Sequence, residues 1–100
     1  MAKPVVLTLH AKADLENISA WLFENWPVTV VENFLDLYEA RILLISHYPS
    51  RYPFIHPSSD LRKAVLTKHN IILYREKAEY IEVISIFDPL QDPEKISRIR

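Results

Sequence analysis

The stretch LRKAVLTKHNIILYREKAEYIEVISIFDPLQDP, Leu61–Pro93, decides the fold of this chain. It contains three runs rich in β-branched, aromatic and leucine side chains, at Leu61–Leu66, Ile71–Arg75 and Tyr80–Phe87. Only a few polar residues separate each run from the next, whereas parallel neighbours need a crossover of about a dozen residues or more. The stretch therefore predicts three strands that meander antiparallel, and the residues before it should form the layer that covers their sheet.

The composition indicates one ordinary domain spanning residues 1–100. A chain of 100 residues, 49% apolar and 25% charged, suits a single hydrophobic core. Because it has no cysteine, disulfides and thiolate metal sites are excluded, and a reducing cytoplasm is the expected location. No secretory signal precedes Val5, and no apolar run approaches the roughly 18 residues of a membrane span. We therefore expect no membrane partner.

Two further features of the composition restrict the function. The chain has no glycine, which excludes a glycine-rich phosphate-binding loop. Its formal net charge is −1, whereas proteins that bind nucleic-acid phosphates are usually basic. Metal ligation is not expected either, because the histidines lack paired spacing on a helix and sit at predicted element ends or in loops. These are His10, His47, His56 and His69. We expect no metal and no cofactor.

The N-terminal part predicts a strand followed by a helix. The apolar run Val5–Leu9 is typical of a short strand, and Ala11–Trp26 follows with apolar residues at helical spacing. Asp14 falls outside that apolar stripe and is predicted to face solvent. Pro27 ends the helix, because the residue before a proline avoids the helical region. The predicted stripe consists of Leu15, Ile18 and Leu22.

A second helix is predicted from about Val30 to Ser46. Thr29 and Glu32 have the spacing of a capping box at its start. Arg41 is placed on its wet face, and the short link after the first helix predicts an antiparallel helical hairpin. The predicted apolar face consists of Val31, Phe34, Leu35, Tyr38, Ile42 and Ile45.

The remaining segments complete an α+β arrangement. His47–Asp60 contains three prolines and is predicted to be an extended, pinned loop. Asp92–Ile99 could form a short terminal helix that Asp92 caps. The order is then β-α-α-β-β-β, with a helical hairpin packed on one face of an antiparallel sheet.

At this point the residues resemble a known family. The phrase AKADLENI at Ala11–Ile18 opens a helix directly after a short strand, and HYPSRYP follows the second helix. The stretch that begins Leu61-Arg62, passes Tyr74 and closes on Asp92-Pro93 is similar in order to the RelE/ParE superfamily of toxins. The likeness runs from Val5 to Ile96, and it is specific as an ordered set of loose motifs.

The resemblance implies the toxin of a type II toxin–antitoxin system, of the kind used in plasmid stabilisation, with a cognate antitoxin as partner. Two activities occur in that family. RelE-like members cut mRNA on the ribosome without a metal, whereas ParE-like members inhibit DNA gyrase and have lost the nuclease residues. A third alternative is an inactive relative that only binds its partner. The oligomeric state also stays open, with a homo-oligomer as one alternative.

If the chain were a nuclease, the resemblance would place its chemistry on Arg62, Lys63 and Tyr74. Metal-free cleavage needs a base, cations for the developing phosphorane charge, and an acid for the leaving oxygen. The last strand instead ends near Asp88, where such a nuclease would offer an imidazole or a phenol. An aspartate is anionic near neutral pH and repels phosphate. A ParE-like binding function is therefore favoured over an enzyme.

Two of these residues also have structural interpretations. Arg62 could pair with an aspartate at the sheet edge, namely Asp60, Asp88 or Asp92. Tyr74 alternates with Ile72, which is typical of a core ring whose hydroxyl reaches solvent.

Three aromatic residues are candidates for partner binding. Phe23 and Trp26 fall outside the main stripe of the first helix, and Trp21 lies beside it. Exposed aromatic side chains on a small domain mark partner surfaces. The alternative is that these rings cover the sheet or the proline-containing loop.

Overall fold

The structure, a computed structural model, describes residues 2–99. Its strands are β1 (Val5–Leu7), β2 (Leu61–Thr67), β3 (Asn70–Glu76) and β4 (Ile81–Phe87). Its helices are α1 (Leu9–Asn25), α2 (Val28–His47) and α3 (Lys95–Ile99), with a 3-10 turn at Pro49–Arg51. The predicted α+β class and the order β-α-α-β-β-β are confirmed. No helix within this part of the chain is both long and apolar enough to cross a membrane.

The predicted meander is confirmed in all three strands. β2 pairs antiparallel with β3, and β3 pairs antiparallel with β4. The turn between β2 and β3 forms without glycine because Thr67 Oγ1 accepts hydrogen bonds from the backbone N–H groups of His69 and Asn70, each at 3.1 Å. Within the described chain no residue has a positive φ. A short polar side chain therefore stabilises this turn, which in many proteins contains a glycine.

The sheet is mixed, because β1 pairs parallel with β4 in the order β1-β4-β3-β2. The two helices supply the long crossover that a parallel pair requires. The predicted strand Val5–Leu9 was too long. Thr8 caps α1 instead, since its Oγ1 accepts from Ala11 N at 3.0 Å, and Leu9 is already helical.

A β-bulge in β4 joins the sheet to the start of α1. Leu73 pairs with Ser85 and Tyr74 pairs with Val83, which leaves Ile84 as the extra residue. Thr8 reaches the bulge directly: its N–H donates to Val83 O and its hydroxyl donates to Ile84 O, both at 3.1 Å. The carbonyl groups that the bulge frees are thus satisfied by the helix cap.

The prediction that Asp14 faces solvent was wrong. Its side chain is only 14% exposed. Its Oδ2 accepts from Ser85 Oγ at 2.7 Å and from Ile86 N at 3.0 Å. Lys95 Nζ lies 3.7 Å from its Oδ1. Helical spacing places Asp14 beside the stripe, and the bulged strand supplies donors that helical spacing alone cannot reveal.

The predicted capping box at the start of α2 was also wrong. Pro27 occupies the N-cap, the cap has no side-chain hydrogen bond, and α2 begins at Val28. Pro27 has φ −58° and ψ 152°, which suits the residue before a helix, so the chain enters the helix at once. Thr29 and Glu32 are therefore inside α2 and exposed.

The main core lies between the helical hairpin and one face of the sheet. The predicted α1 stripe packs against it, as do Tyr38 and Ile42 of α2. Leu35, predicted to face the core, is 37% exposed, because it lies at the margin of the buried face of α2. The fully or nearly fully buried members are Ala11, Phe34, Ile45, Ala64, Leu66, Ile72, Tyr74, Ile81, Val83 and Ile86.

A smaller core covers the other face of the sheet. Ile71, Leu73 and Phe87 are buried there against Ile55, Ile84 and Ile96, which come from the loop, the bulge and α3. The predicted terminal helix Asp92–Ile99 is shorter than expected, since α3 begins at Lys95, whose N–H donates to Asp92 O at 3.2 Å.

Candidate functional site

The β2–β3 register brings together two of the three predicted nuclease residues. Arg62 is the direct cross-strand partner of Tyr74, so both side chains lie on the face that the helices cover. Lys63 is the partner of Leu73 and lies on the opposite face, where it is exposed. Because side chains alternate along a strand, no small adjustment would bring Lys63 beside the other two.

Arg62 is held by the loop that follows α2. Its Nη1 donates to Tyr52 O at 2.6 Å and to Ser50 O at 3.4 Å, and its guanidinium lies 3.8 Å from the centroid of the Phe54 ring. Phe54 also forms an isolated antiparallel bridge with Arg62. The loop is therefore pinned along the edge of β2, partly as the prolines predicted.

The predicted pairing of Arg62 with an aspartate was wrong. Asp60 is bound by Arg75 instead, whose Nε lies 2.8 Å from Asp60 Oδ2 and whose Nη1 lies 3.4 Å from Glu82 Oε1. Arg75 pairs across the sheet with Leu61, which directly follows Asp60 in the chain, so its side chain lies close to Asp60.

Tyr74 is a fully buried core ring, as its alternation predicted, but its hydroxyl does not reach solvent. The hydroxyl donates to Pro49 O, and the ring contacts Tyr52 edge to face with centroids 6.3 Å apart. Burial raises the pKa of Tyr74, and the neighbouring Arg62 charge offsets only part of this. Tyr74 therefore stays neutral near pH 7 and fastens the loop to the sheet.

Arg41, Tyr48, Arg51 and Tyr52 join this site, although the sequence did not single them out. Arg41 Nη1 donates to Tyr52 Oη at 3.3 Å, while its Nε is buried with no hydrogen-bond partner among residues 2–99. The Arg51 guanidinium lies 5.7 Å from the centroid of the Tyr48 ring. The phrase HYPSRYP was the available signal, because it concentrates arginine and tyrosine between prolines.

We call Arg41, Tyr48, Arg51, Tyr52, Arg62 and Tyr74 the arginine–tyrosine cluster. None of its three arginines forms a salt bridge with a carboxylate in the described part of the chain. Beside it lies an open cleft of about 690 Å³ lined by His47, Tyr48, Pro49, Ser50 and Arg51. The cluster is locally positive and can attract an anionic group, yet its one buried phenol is not available as an acid.

Asp88 lies just after β4, as predicted. Its Oδ1 accepts from Leu90 N at 2.9 Å, so it closes a turn and is not directed at the cluster. The histidines also lie apart, and among residues 2–99 His10 is the one that contacts a carboxylate, with Nε2 3.4 Å from Asp14 Oδ2. Among the described residues, no three histidine or acidic side chains come together in a group that could hold a metal ion.

The three aromatic residues proposed for partner binding are all exposed. Trp21 is 56%, Phe23 68% and Trp26 53% accessible. None of the three packs against either buried cluster within the described residues, and their role in partner binding stays a prediction. They occupy the last turns of α1 and the link to α2, which is separate from the arginine–tyrosine cluster.

Comparisons with known proteins bear on the fold. No family model matches the chain, and no curated protein shows significant similarity to it. Solved structures do. A chain of the chromosomal ParDE TA system from P. aeruginosa aligns with a TM-score of 0.73 at 13% identity, covering 87% of this chain and 96% of that one.

Two further solved structures are similar. A chain of the toxin–antitoxin complex RelBE2 from Mycobacterium tuberculosis aligns with a TM-score of 0.60 at 14% identity, covering 88% of this chain and 99% of that chain. A chain of the E. coli DinJ-YafQ toxin–antitoxin complex aligns with a TM-score of 0.65 at 8% identity, covering 92% and 98%. At identities this low, the structural similarity shows a common fold and no more. The RelE/ParE-like fold predicted from the sequence is thereby confirmed.

Proposed function

We propose that this chain is the toxin component of a type II toxin–antitoxin system and acts in a ParE-like way, by binding a protein target such as DNA gyrase. A cognate antitoxin would neutralise it, in the cytoplasm, as part of a plasmid-stabilisation type of system. The observation that carries the proposal is the fold, which is similar over nearly its whole length to chains from ParDE, RelBE2 and DinJ-YafQ toxin–antitoxin complexes.

The arrangement of the predicted nuclease residues favours binding over cleavage. Lys63 lies on the opposite face from Arg62 and Tyr74. The Tyr74 hydroxyl is buried, its pKa is raised, and it is already donating to Pro49 O. Arg62 is engaged by two carbonyl groups and a ring. The three residues that the resemblance named therefore do not supply a base, an acid and a free cation at one place, which supports binding over cleavage.

Partner binding in this proposal belongs to the exposed aromatic residues of the helical hairpin. An antitoxin would lay a helix or strand on the hairpin and the adjoining apolar surface. Trp21, Phe23 and Trp26 supply large rings that are enriched at the centres of protein interfaces, and each is more than half accessible.

The test is expression of this chain with and without the product of the neighbouring reading frame. Expression alone should arrest growth and raise gyrase-dependent DNA damage, and co-expression should restore growth. A chain that binds the neighbouring product but never arrests growth would be the inactive relative. If the chain neither arrests growth nor binds the neighbouring product, the proposal is refuted.

A RelE-like ribosome-dependent mRNA endoribonuclease is a second candidate, favoured by the arginine–tyrosine cluster. Three arginines without a carboxylate partner adjoin an open cleft, and an RNA phosphate would be attracted there. In that case cleaved transcripts would appear at translating ribosomes. They should vanish in Arg62→Ala and persist in Lys68→Ala, whose exposed lysine lies in the turn beyond β2. Growth arrest with intact transcripts would exclude this candidate.

A further inference from the structure

Charge is segregated along this chain. Residues 13–40, which span most of α1 and α2, contain six carboxylates and no lysine, arginine or histidine, a formal charge of −6. The remaining residues hold the chain's twelve lysines and arginines and seven carboxylates, a formal charge of +5. The near-neutral total of −1 therefore hides an acidic helical hairpin attached to a basic remainder.

Three of these carboxylates form a stripe on the outer side of α2. Glu32, Asp36 and Glu39 are four and three residues apart, so they share one face of the helix, and all are exposed. Phe34 and Tyr38, which pack into the core, lie on the opposite face. None of the three forms a salt bridge within residues 2–99. We call them the acidic stripe; like charges at this spacing repel, and the described chain offers no cation to relieve them.

Apolar surface flanks the stripe at both ends. Residues 21–28, the hairpin tip, expose Trp21, Phe23, Trp26 and also Val28, which is 56% accessible. At the other end Leu43, four residues beyond Glu39, is 61% accessible. From Val28 to Leu43 a helix rises about 22 Å, the length of a helix of about 15 residues. The surface thus has apolar residues at both ends of an acidic centre, over a length that a helix of about 15 residues can cover.

The sign of the charge selects the occupant. A second copy placed hairpin to hairpin would bring two acidic stripes together, and nucleic acid or an anionic lipid surface would be repelled in the same way. A lysine- or arginine-bearing helix is attracted, and its own apolar face can cover the aromatic tip.

We propose that the hairpin tip and the acidic stripe together form a docking surface for a cationic amphipathic helix of a partner protein. Apolar side chains of that helix pack on Trp26, Val28 and Leu43, and its lysines or arginines pair with the stripe. The inference deepens the proposed function, on which it rests for the partner being the antitoxin, and it concerns a surface separate from the arginine–tyrosine cluster.

The two tryptophans make the surface directly measurable, because Trp21 and Trp26 are the only ones in the chain. The purified full chain is titrated with a synthetic peptide of about 18 residues that carries leucine on one face and lysine on the other. A tryptophan-free peptide with glutamate replacing lysine is the control ligand. We expect the lysine peptide to shift tryptophan emission to the blue, to bind at least about tenfold more tightly than the glutamate peptide, and to weaken from about 50 to 500 mM salt.

Paired charge reversals test the position of the site. Glu32→Lys with Asp36→Lys should weaken binding of the lysine peptide by about tenfold or more. Glu79→Lys with Glu94→Lys makes the same change in net charge at exposed residues outside the hairpin, and it should change binding by less than about twofold. Circular dichroism of both variants checks that the fold is retained.

Three results would overturn the proposal: equal binding of the two peptides, equal loss in the two double variants, or binding without any change in tryptophan emission. A dimer of the free chain that buries the tryptophans would also overturn it, because a second copy would then be the occupant. Growth arrest is read separately. Peptide binding without growth arrest would refute the toxin function but not the docking surface. Growth arrest without peptide binding would refute the docking surface but not the toxin function.

Discussion

The arginine–tyrosine cluster and the acidic hairpin carry their charges in opposite ways. In the cluster, Arg62 is held by backbone carbonyl groups and a ring, and Tyr74 is buried and hydrogen-bonded. On the hairpin, Glu32 and Asp36 stand exposed beside accessible rings such as Trp26. Groups satisfied within the chain hold the fold together, whereas exposed groups without internal partners are available to other molecules. Two of the residues that first suggested catalysis, Arg62 and Tyr74, are thus engaged within the fold, and the outer hairpin surface is the one that we propose for interaction.

Truncating one ring in each region should give the largest difference between the cluster and the hairpin. Tyr74→Ala should lower the free energy of unfolding by about 3–5 kcal/mol, because a fully buried ring leaves a cavity and Pro49 O loses its donor. Trp21→Ala removes an exposed ring of similar size and should cost less than about 0.5 kcal/mol. Urea unfolding of both variants measures the difference. Equal losses would mean that Trp21 is packed and not free for a partner.

Removing the Asp14 carboxylate tests the link between α1 and the bulged strand. Asp14→Ala should cost about 2 kcal/mol, because Ser85 Oγ and Ile86 N lose a charged acceptor. Glu16→Ala, two residues along the same helix and exposed, is the matched control and should stay within about 0.5 kcal/mol. Thermal unfolding followed by circular dichroism reports both, and a neutral Asp14→Ala would show that the carboxylate adds nothing to the junction.

Arg62→Ala should release the loop that follows α2 while leaving the core intact. The variant loses hydrogen bonds to Ser50 O and Tyr52 O and the contact with Phe54, at a cost of about 1–2 kcal/mol. Hydrogen exchange should rise in residues 49–55 and change little in the hairpin. Lys63→Ala, on the opposite face of β2, is the control. Unchanged exchange in the loop would remove the structural role assigned to Arg62.

The smallest effect is expected at alkaline pH. The folded state raises the pKa of Tyr74 above the ordinary value of about 10, and burial does the same for Tyr38. Above that ordinary value the unfolded chain loses these protons before the folded chain does, so stability is retained below about pH 10 and falls as the pH rises further. Each tyrosine contributes a slope of at most about 1.4 kcal/mol per pH unit. Tyr74→Phe should flatten the slope in urea unfolding between about pH 10 and 11, and an unchanged slope would contradict the assignment.

Most of the sheet and both long helices follow from local patterns. β-branched runs separated by short polar turns specify the meander, and the spacing of Leu15, Ile18 and Leu22 specifies the buried face of α1. Local patterns failed where two explanations were compatible with the same residues. Thr29 and Glu32 have capping spacing, yet Pro27 already suits the N-cap, so the helix begins before them. The parallel β1–β4 pair joins residues more than seventy positions apart, beyond the reach of any local signal.

For the site, the resemblance to RelE/ParE toxins identified Arg62 and Tyr74 as notable, and helical spacing placed Trp21, Phe23 and Trp26 off the core stripe. Alternation along a strand depends on nearest neighbours, so it already separates Lys63 from Arg62 once β2 is recognised. Local patterns do not reveal the contacts of these side chains, because the partners meet only after the sheet and the hairpin have packed together. The pairs are Asp14 with Ser85, Arg41 with Tyr52, and Tyr74 with Pro49. Secondary structure follows from short-range sterics and periodicity, whereas the partners of buried polar groups depend on long-range packing, and only that packing shows that Arg62 and Tyr74 hold the loop after α2 against the sheet.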